Sequence, residues 1–123
     1  MLTEQYVILE LDGKAYPLAY NLNVMERVDE HFKGLENLGL AFIGGSEGTR
    51  HQKWLLTAMI NEGIDIQNDD GKGRPILTEK QVGRMIRTVE DWNRATQRML
   101  EAIGAAGPEG EGSAKNERAT QGQ

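Results

Sequence analysis

His31 and His51 are the only imidazoles in a chain of 123 residues that has no cysteine. Neither has a Cys or another His at ligand spacing, and Asp29 and Glu30 beside His31 point other ways on a helix. Both read as surface histidines rather than as a catalytic or metal centre. Asp65, Gln67, Asp69, Asp70 and Gly71 follow part of the order of a calcium loop. The glycine comes one place late, however, and Ile76 stands where a bidentate carboxylate is needed. The stretch GKGRP at 71–75 lacks the glycine spacing and the Lys-Ser/Thr ending of a phosphate-binding loop. GGSEG at 44–48 precedes a helix whose N-terminus could hold an anion, but no acid or lysine partner accompanies it. Ser46 and Ser113 sit in glycine-rich sequence, and no nucleophile–base pair can be assembled. The residues therefore point to a non-enzymatic protein with no metal and no cofactor.

One constellation remains. Lys80, Arg84, Arg87, Arg94 and Arg98 form a stripe opposite the apolar side of a predicted helix, with only Asp91 among them. It reads first as a solvated face balanced by Glu79, Glu90 and Glu101, and next as a surface for an acidic protein partner. As a nucleic-acid stripe it lacks interleaved aromatics, and the net charge of −5 works against general affinity for phosphate.

The elements that must position these residues begin with ILELDGKAYPLAY. Asp12-Gly13 predicts a two-residue turn that pairs Val7 with Leu18, Leu9 with Tyr16 and Leu11 with Lys14. Val7, Leu9, Leu11, Tyr16 and Leu18 then share one apolar face, while Pro17 on the other face marks the second strand of the hairpin as an edge. A lone hairpin is marginal in water, so this face must pack on helices. Asn23 is the expected cap of a first helix whose apolar face follows Met25, Val28 and Phe32, with Gly34 ending it near its last turn and Leu35 at the exit. The stretch LENLGLAFIGGSEG reads as a glycine-broken connector. Thr49, with Gln52, opens a second helix that is apolar over most of its girth and stops at Gly63.

Residues 64–77 read as an irregular excursion or a small hairpin around Asp70-Gly71. Thr78, with Gln81 as partner, caps a long third helix. Its apolar side carries Val82, Met85, Ile86, Val89, Trp92, Thr96, Met99, Leu100 and Ile103, and Gly104 ends it. Residues 105–123 contain no aromatic and no large aliphatic side chain, so they read as a disordered tail. The expected architecture is α+β, one domain over residues 1–104 with the hairpin packed on about three main helices. No apolar run is long enough to span a membrane, and residues 1–5 carry no signal core, which together with the lack of cysteine suggests a soluble cytoplasmic protein.

The order of parts, a "β-DG-β" hairpin, the amphipathic NLNVMERVDEHF, the Trp-bearing WLLTAMINEG and the capped LTEKQVGRMI, resembles the small tail assembly chaperones of long-tailed bacteriophages and prophages. The likeness covers roughly residues 6–103, and the longer GIDIQNDDGKGRP excursion departs from it. The resemblance implies a chaperone that binds the tape-measure protein in the host cytoplasm and helps recruit tail-tube subunits during virion morphogenesis. It also implies absence from the finished particle and, in many members, a second, frameshifted length. The basic stripe together with Met25 and Phe32 are the client surfaces it suggests, although periodic apolar faces are core by default. A homo-oligomer is compatible with this role. Two other readings stand beside it: a structural tail or head–tail connector subunit, and a small nucleic-acid-binding regulator using the basic stripe.

Overall fold

The computed structural model of the chain describes residues 6–106. A β-hairpin opens it, with β1 at Val7–Leu11 and β2 at Lys14–Leu18. The pairing is antiparallel in the register expected from the turn, Val7 with Leu18, Leu9 with Tyr16 and Leu11 with Lys14. Asp12 and Gly13 both take positive φ, 55° and 78°, as a turn twisted to match the strands requires. Leu9, Leu11, Tyr16 and Leu18 are buried on the shared face. The other face of β2 is covered too, because Pro17 is buried against the second helix, and its missing N–H costs nothing there.

Four α-helices follow, with a 3-10 segment at Leu35–Phe42, so the α+β class holds with more helices than the periodicity predicts. Helix α1 spans Leu22–Phe32 and is capped by Asn21, whose Oδ1 accepts from the Val24 N–H at 3.3 Å, rather than by Asn23. Asn21 and Asn23 both donate to the Glu62 carboxylate, at 2.9 and 3.1 Å, which ties the start of α1 to the second helix. At the other end Lys33, not Gly34, takes the left-handed conformation, and the Gly34 N–H reaches back to the Asp29 carbonyl at 3.0 Å. The Asn37 amide donates to the freed Phe32 and Lys33 carbonyls.

Helix α2 is the spine. It runs Gly45–Asp69, starting four residues before Thr49 and passing straight through Gly63. Hence Ser46 to Gly48 belong to its first turn, and the acids at 65 and 69 lie on a helix rather than in a calcium loop. Gly63 has a different purpose from a stop: a Cβ there would collide with the Pro17 carbonyl, so the glycine lets β2 lie on the helix backbone. The Ala19 N–H donates to the Met59 carbonyl at 3.2 Å along the same approach. Gln52 is not a cap but a buried side chain, donating to Thr96 Oγ1 at 2.7 Å.

The excursion after α2 is extended rather than a second hairpin, and α2 itself pins it. Asn61 and Asn68 stand two helical turns apart on α2. Asn61 pairs with both backbone groups of Leu77 at 2.8 Å. Asn68 does the same for Arg74, at 2.7 and 2.8 Å. Each amide thus replaces a missing strand partner. Arg74 completes the clamp, donating to the Ala15 carbonyl and Gln67 Oε1 and lying over the Tyr16 ring at 4.7 Å.

The long third helix of the sequence pattern is two helices. Thr78 caps α3, Glu79–Met85, through the expected capping box with Gln81. The chain then leaves the helix at Ile86, whose φ and ψ of −103° and 105° are extended, and re-enters as α4, Val89–Ala106, past Gly104. Thr88 Oγ1 accepts from the Asp91 N–H at 3.0 Å while the Asp91 carboxylate accepts from the Arg87 N–H at 3.2 Å. The break rotates the pattern, so Val89 and Leu100, expected inside, are 74% and 51% exposed, while Ala95, Met99 and Ala102 are buried. The expected tail beyond 106 lies outside the described residues.

One core joins these parts. Helix α2 packs against β2, α1, the 3-10 segment, α3 and α4, and α4 closes over β1. Leu55, Met59, Ile60 and Ile64 of α2 are fully buried among Leu9, Val28, Val82 and Met99. Side chains of this size each stabilise the fold by about 1.5–3 kcal/mol through burial. Among the described residues no helix is long and apolar enough to cross a membrane.

Candidate protein-binding site

The five cations of the expected stripe do not share a helix. Lys80 and Arg84 are on α3, Arg87 is in the break, and Arg94 and Arg98 are on α4. Three of them are already engaged. Arg87 donates to the Asp12 carboxylate at 2.9 Å, Arg94 to Asp91 at 2.8 Å and Arg98 to Glu101 at 3.0 Å. Such exposed pairs contribute about 0–1 kcal/mol each, but they neutralise the charge that a continuous stripe would present. Asp91 collects the Arg87 N–H, the Arg94 guanidinium and Thr88, and the Arg87 backbone N–H above all holds its carboxyl below the ordinary carboxylate range. Phe32 is in the core and Met25 is half-buried on α1.

The histidines, by contrast, come together. His31 at the end of α1 and His51 near the start of α2 stand with Nε2 and Nδ1 3.1 Å apart, one nitrogen donating to the other. The His31 ring stacks on Trp54 at 3.8 Å between centroids, with Phe32 edge-on to both and the Arg27 guanidinium 5.8 Å from the indole. Burial, and then the neighbouring His51, pull the His31 pKa below the ordinary value of 6.5, while Glu79 opposes them. On its far nitrogen His51 faces Glu47 at 4.0 Å. Among the described residues no group of three or more His, Cys, Asp or Glu could hold a metal ion. The arrangement serves to join α1 to α2.

Beside this cluster a cleft of about 530 Å³ opens between the first half of α2 and the α3–α4 corner. Leu56 and Val82 are buried at its floor, and Ile86 and Trp92 are half-buried in its wall. Ser46 and Thr49 bring hydroxyls to one end, and Arg50 and Lys53 bring the charges. Arg50 is exposed and pairs with Glu47, three residues before it on the helix, at 3.2 Å. Among the described residues Lys53 has no ion pair. Gly83 of α3 forms part of the lining, and a Cβ there would meet only Lys53 Cδ, at 3.3 Å. Glycine inside a helix costs about 1 kcal/mol relative to alanine, so α3 keeps an open wall at the expense of its own stability.

Sequence reasoning placed Trp92 and Ile86 on an apolar side but not at an opening, because it ran α3 and α4 together. Arg50, Lys53 and Gly83 were missed. Their signal was a glycine amid helix formers and two cations three residues apart on the helix that precedes it. The cleft can hold apolar side chains on its floor and anionic groups at its rim. No protein-family model, curated protein or solved structure matches the chain.

Proposed function

We propose that this chain is a non-enzymatic tail assembly chaperone of the long-tailed phage kind, binding segments of the tape-measure protein in the host cytoplasm and helping to recruit tail-tube subunits. The resemblance in the order of hairpin, amphipathic helix, Trp-bearing helix and capped helix motivates the reading. The observation that carries it is the cleft between α2 and the α3–α4 corner, an apolar floor continuous with the core beneath a polar rim. A chaperone for a long helical client needs contact area and many modest binding events along one chain, rather than a catalytic constellation.

Co-expression with the longest coiled-coil-rich protein encoded just downstream, followed by a solubility assay and a pulldown, tests the reading. A client that becomes soluble and co-purifies with several copies of this chain upholds it. A client that stays insoluble while this chain elutes alone rejects it. Retention of the chain in purified particles would instead make it a tail or connector subunit.

A further inference from the structure

Building on the protein-binding reading of the cleft, we infer that its occupant is an acidic amphipathic helix, with its apolar edge on Leu56, Val82 and Trp92 and its carboxylates against Arg50 and Lys53. Two features of the cleft select this partner.

The first is backbone chemistry. Most of the lining is helix, whose N–H and C=O groups are paired along its own axis, with Ser46 in the first turn of α2 and Ile86 in the break as the exceptions, and no sheet edge borders the opening. An extended peptide lying on this apolar floor would bury polar backbone without partners. A helix satisfies its backbone internally and presents only side chains, spaced to lie as a ridge in a groove between helices. Gly83 makes room for that ridge, since the one neighbour a side chain there would meet is the flexible Lys53 stem.

The second is charge. Both ionisable residues lining the cleft are cations, and no carboxylate lines it among the described residues. Among the described residues Lys53 has no ion pair, and the exposed contact of Arg50 with Glu47 is easily exchanged for a partner's carboxylate. The chain as a whole is acidic, at −5, so this is a local exception to its field. The rim therefore acts at contact range, within a screening length of about 10 Å, and discriminates against a basic helix that would leave Arg50 and Lys53 facing like charge. Two cations above an apolar floor are too few to follow a phosphate backbone.

The test uses the full chain and three fluorescein-labelled synthetic peptides read by anisotropy. One is a Leu/Glu amphipathic helix, one is its Leu/Lys counterpart with the same apolar edge, and one is a non-helical Gly/Ser/Glu peptide of equal charge. The expected result is binding of the Leu/Glu helix at least about tenfold tighter than of either other peptide, weakening as salt is raised. The double variant Arg50→Glu, Lys53→Glu, at the exposed Arg50 and the half-buried Lys53, with its fold checked by circular dichroism, should reverse the preference. Gly83→Leu should fill the cleft and abolish binding of both helices. Equal or tighter binding of the Leu/Lys helix to the wild-type chain overturns the inference. So does a charge reversal with no effect, or a self-associating chain that Gly83→Leu returns to the monomer, which would make a second copy the occupant. If the phage client is solubilised equally by wild-type chain and charge-reversed variant, the partner inference fails while the chaperone reading survives. If the Leu/Glu helix binds as described and the client stays insoluble, the chaperone reading fails and the inference stands.

Discussion

Gly63 and His31 show how much a single position can carry in a fold this small. At Gly63 the chain of α2 and the Pro17 carbonyl share a space that a methyl group would occupy. Gly63→Ala adds helix propensity of about 1 kcal/mol. It also forces β2 off the helix, and overpacking of that kind costs about 1–3 kcal/mol or more, which is the larger effect because the obstacle is backbone. Urea denaturation should therefore show a less stable protein, and a gain in stability would refute the close-approach account. His31 gives a pH dependence of definite sign. Its folded pKa lies below 6.5, through burial and His51, so the unfolded chain binds the proton more readily. This contribution to stability is complete above about pH 6.5 and is lost as the pH falls through the depressed folded value. The groups around the pair are Glu47 on α2, Glu79 on α3 and Arg27 on α1, and neither carboxylate lies close enough to His31 to reverse the direction. Melting temperatures measured from about pH 8 to about pH 5 should fall for the wild-type chain and fall less steeply for His31→Phe. Parallel curves would mean that the imidazole pair does not link α1 to α2.

At the scale of elements, the decisive feature is where helices begin and end. Thr88-Val89-Glu90-Asp91 is a capping-box pattern in the sequence, and it lies inside what the hydrophobic period alone reads as one long helix. The cap prevails because Thr88 Oγ1 takes the Asp91 N–H and the Asp91 carboxylate takes the Arg87 N–H, and because the turn it creates carries Arg87 to Asp12 on the hairpin. Thr88→Ala should cost about 1 kcal/mol and speed hydrogen exchange at the Asp91 amide, with the α3 amides little affected. Unchanged protection at Asp91 would assign the break to packing instead. The reverse error occurred at Gly63, where a glycine that looks like a helix stop is read through by the chain. Asn61 and Asn68 belong to the same scale: two amides on one helix face hold the extended segment that would otherwise lack backbone partners.

For the whole molecule, α2 decides the arrangement. It is long, apolar over most of its circumference and buried between the hairpin, α1 and the α3–α4 corner, so each of the other elements is positioned by the face of α2 it covers. Its first half has the His31–His51–Trp54 contact on one side and the cleft on the other. That places the candidate interface on the central helix of the fold rather than on a terminus. On the chaperone reading proposed above, chain and helical client would meet repeatedly, with each contact modest and the sum set by how many copies line the client.

The hairpin with its register, the Thr78 cap and the α+β class were legible in the residues, since a two-residue turn and a capping box act within four residues and need no distant partner. The capping pattern at Thr88 was equally local and was overlooked in favour of the longer period. The course of α2 through Gly63, the meeting of two histidines from different helices and the cleft itself were decided by tertiary structure. Each depends on groups brought close from far along the chain, such as Pro17 on Gly63, His51 on His31 and Gly83 beside Lys53. Periodicity reports which face of an element is apolar, but only packing determines which part of that face stays open.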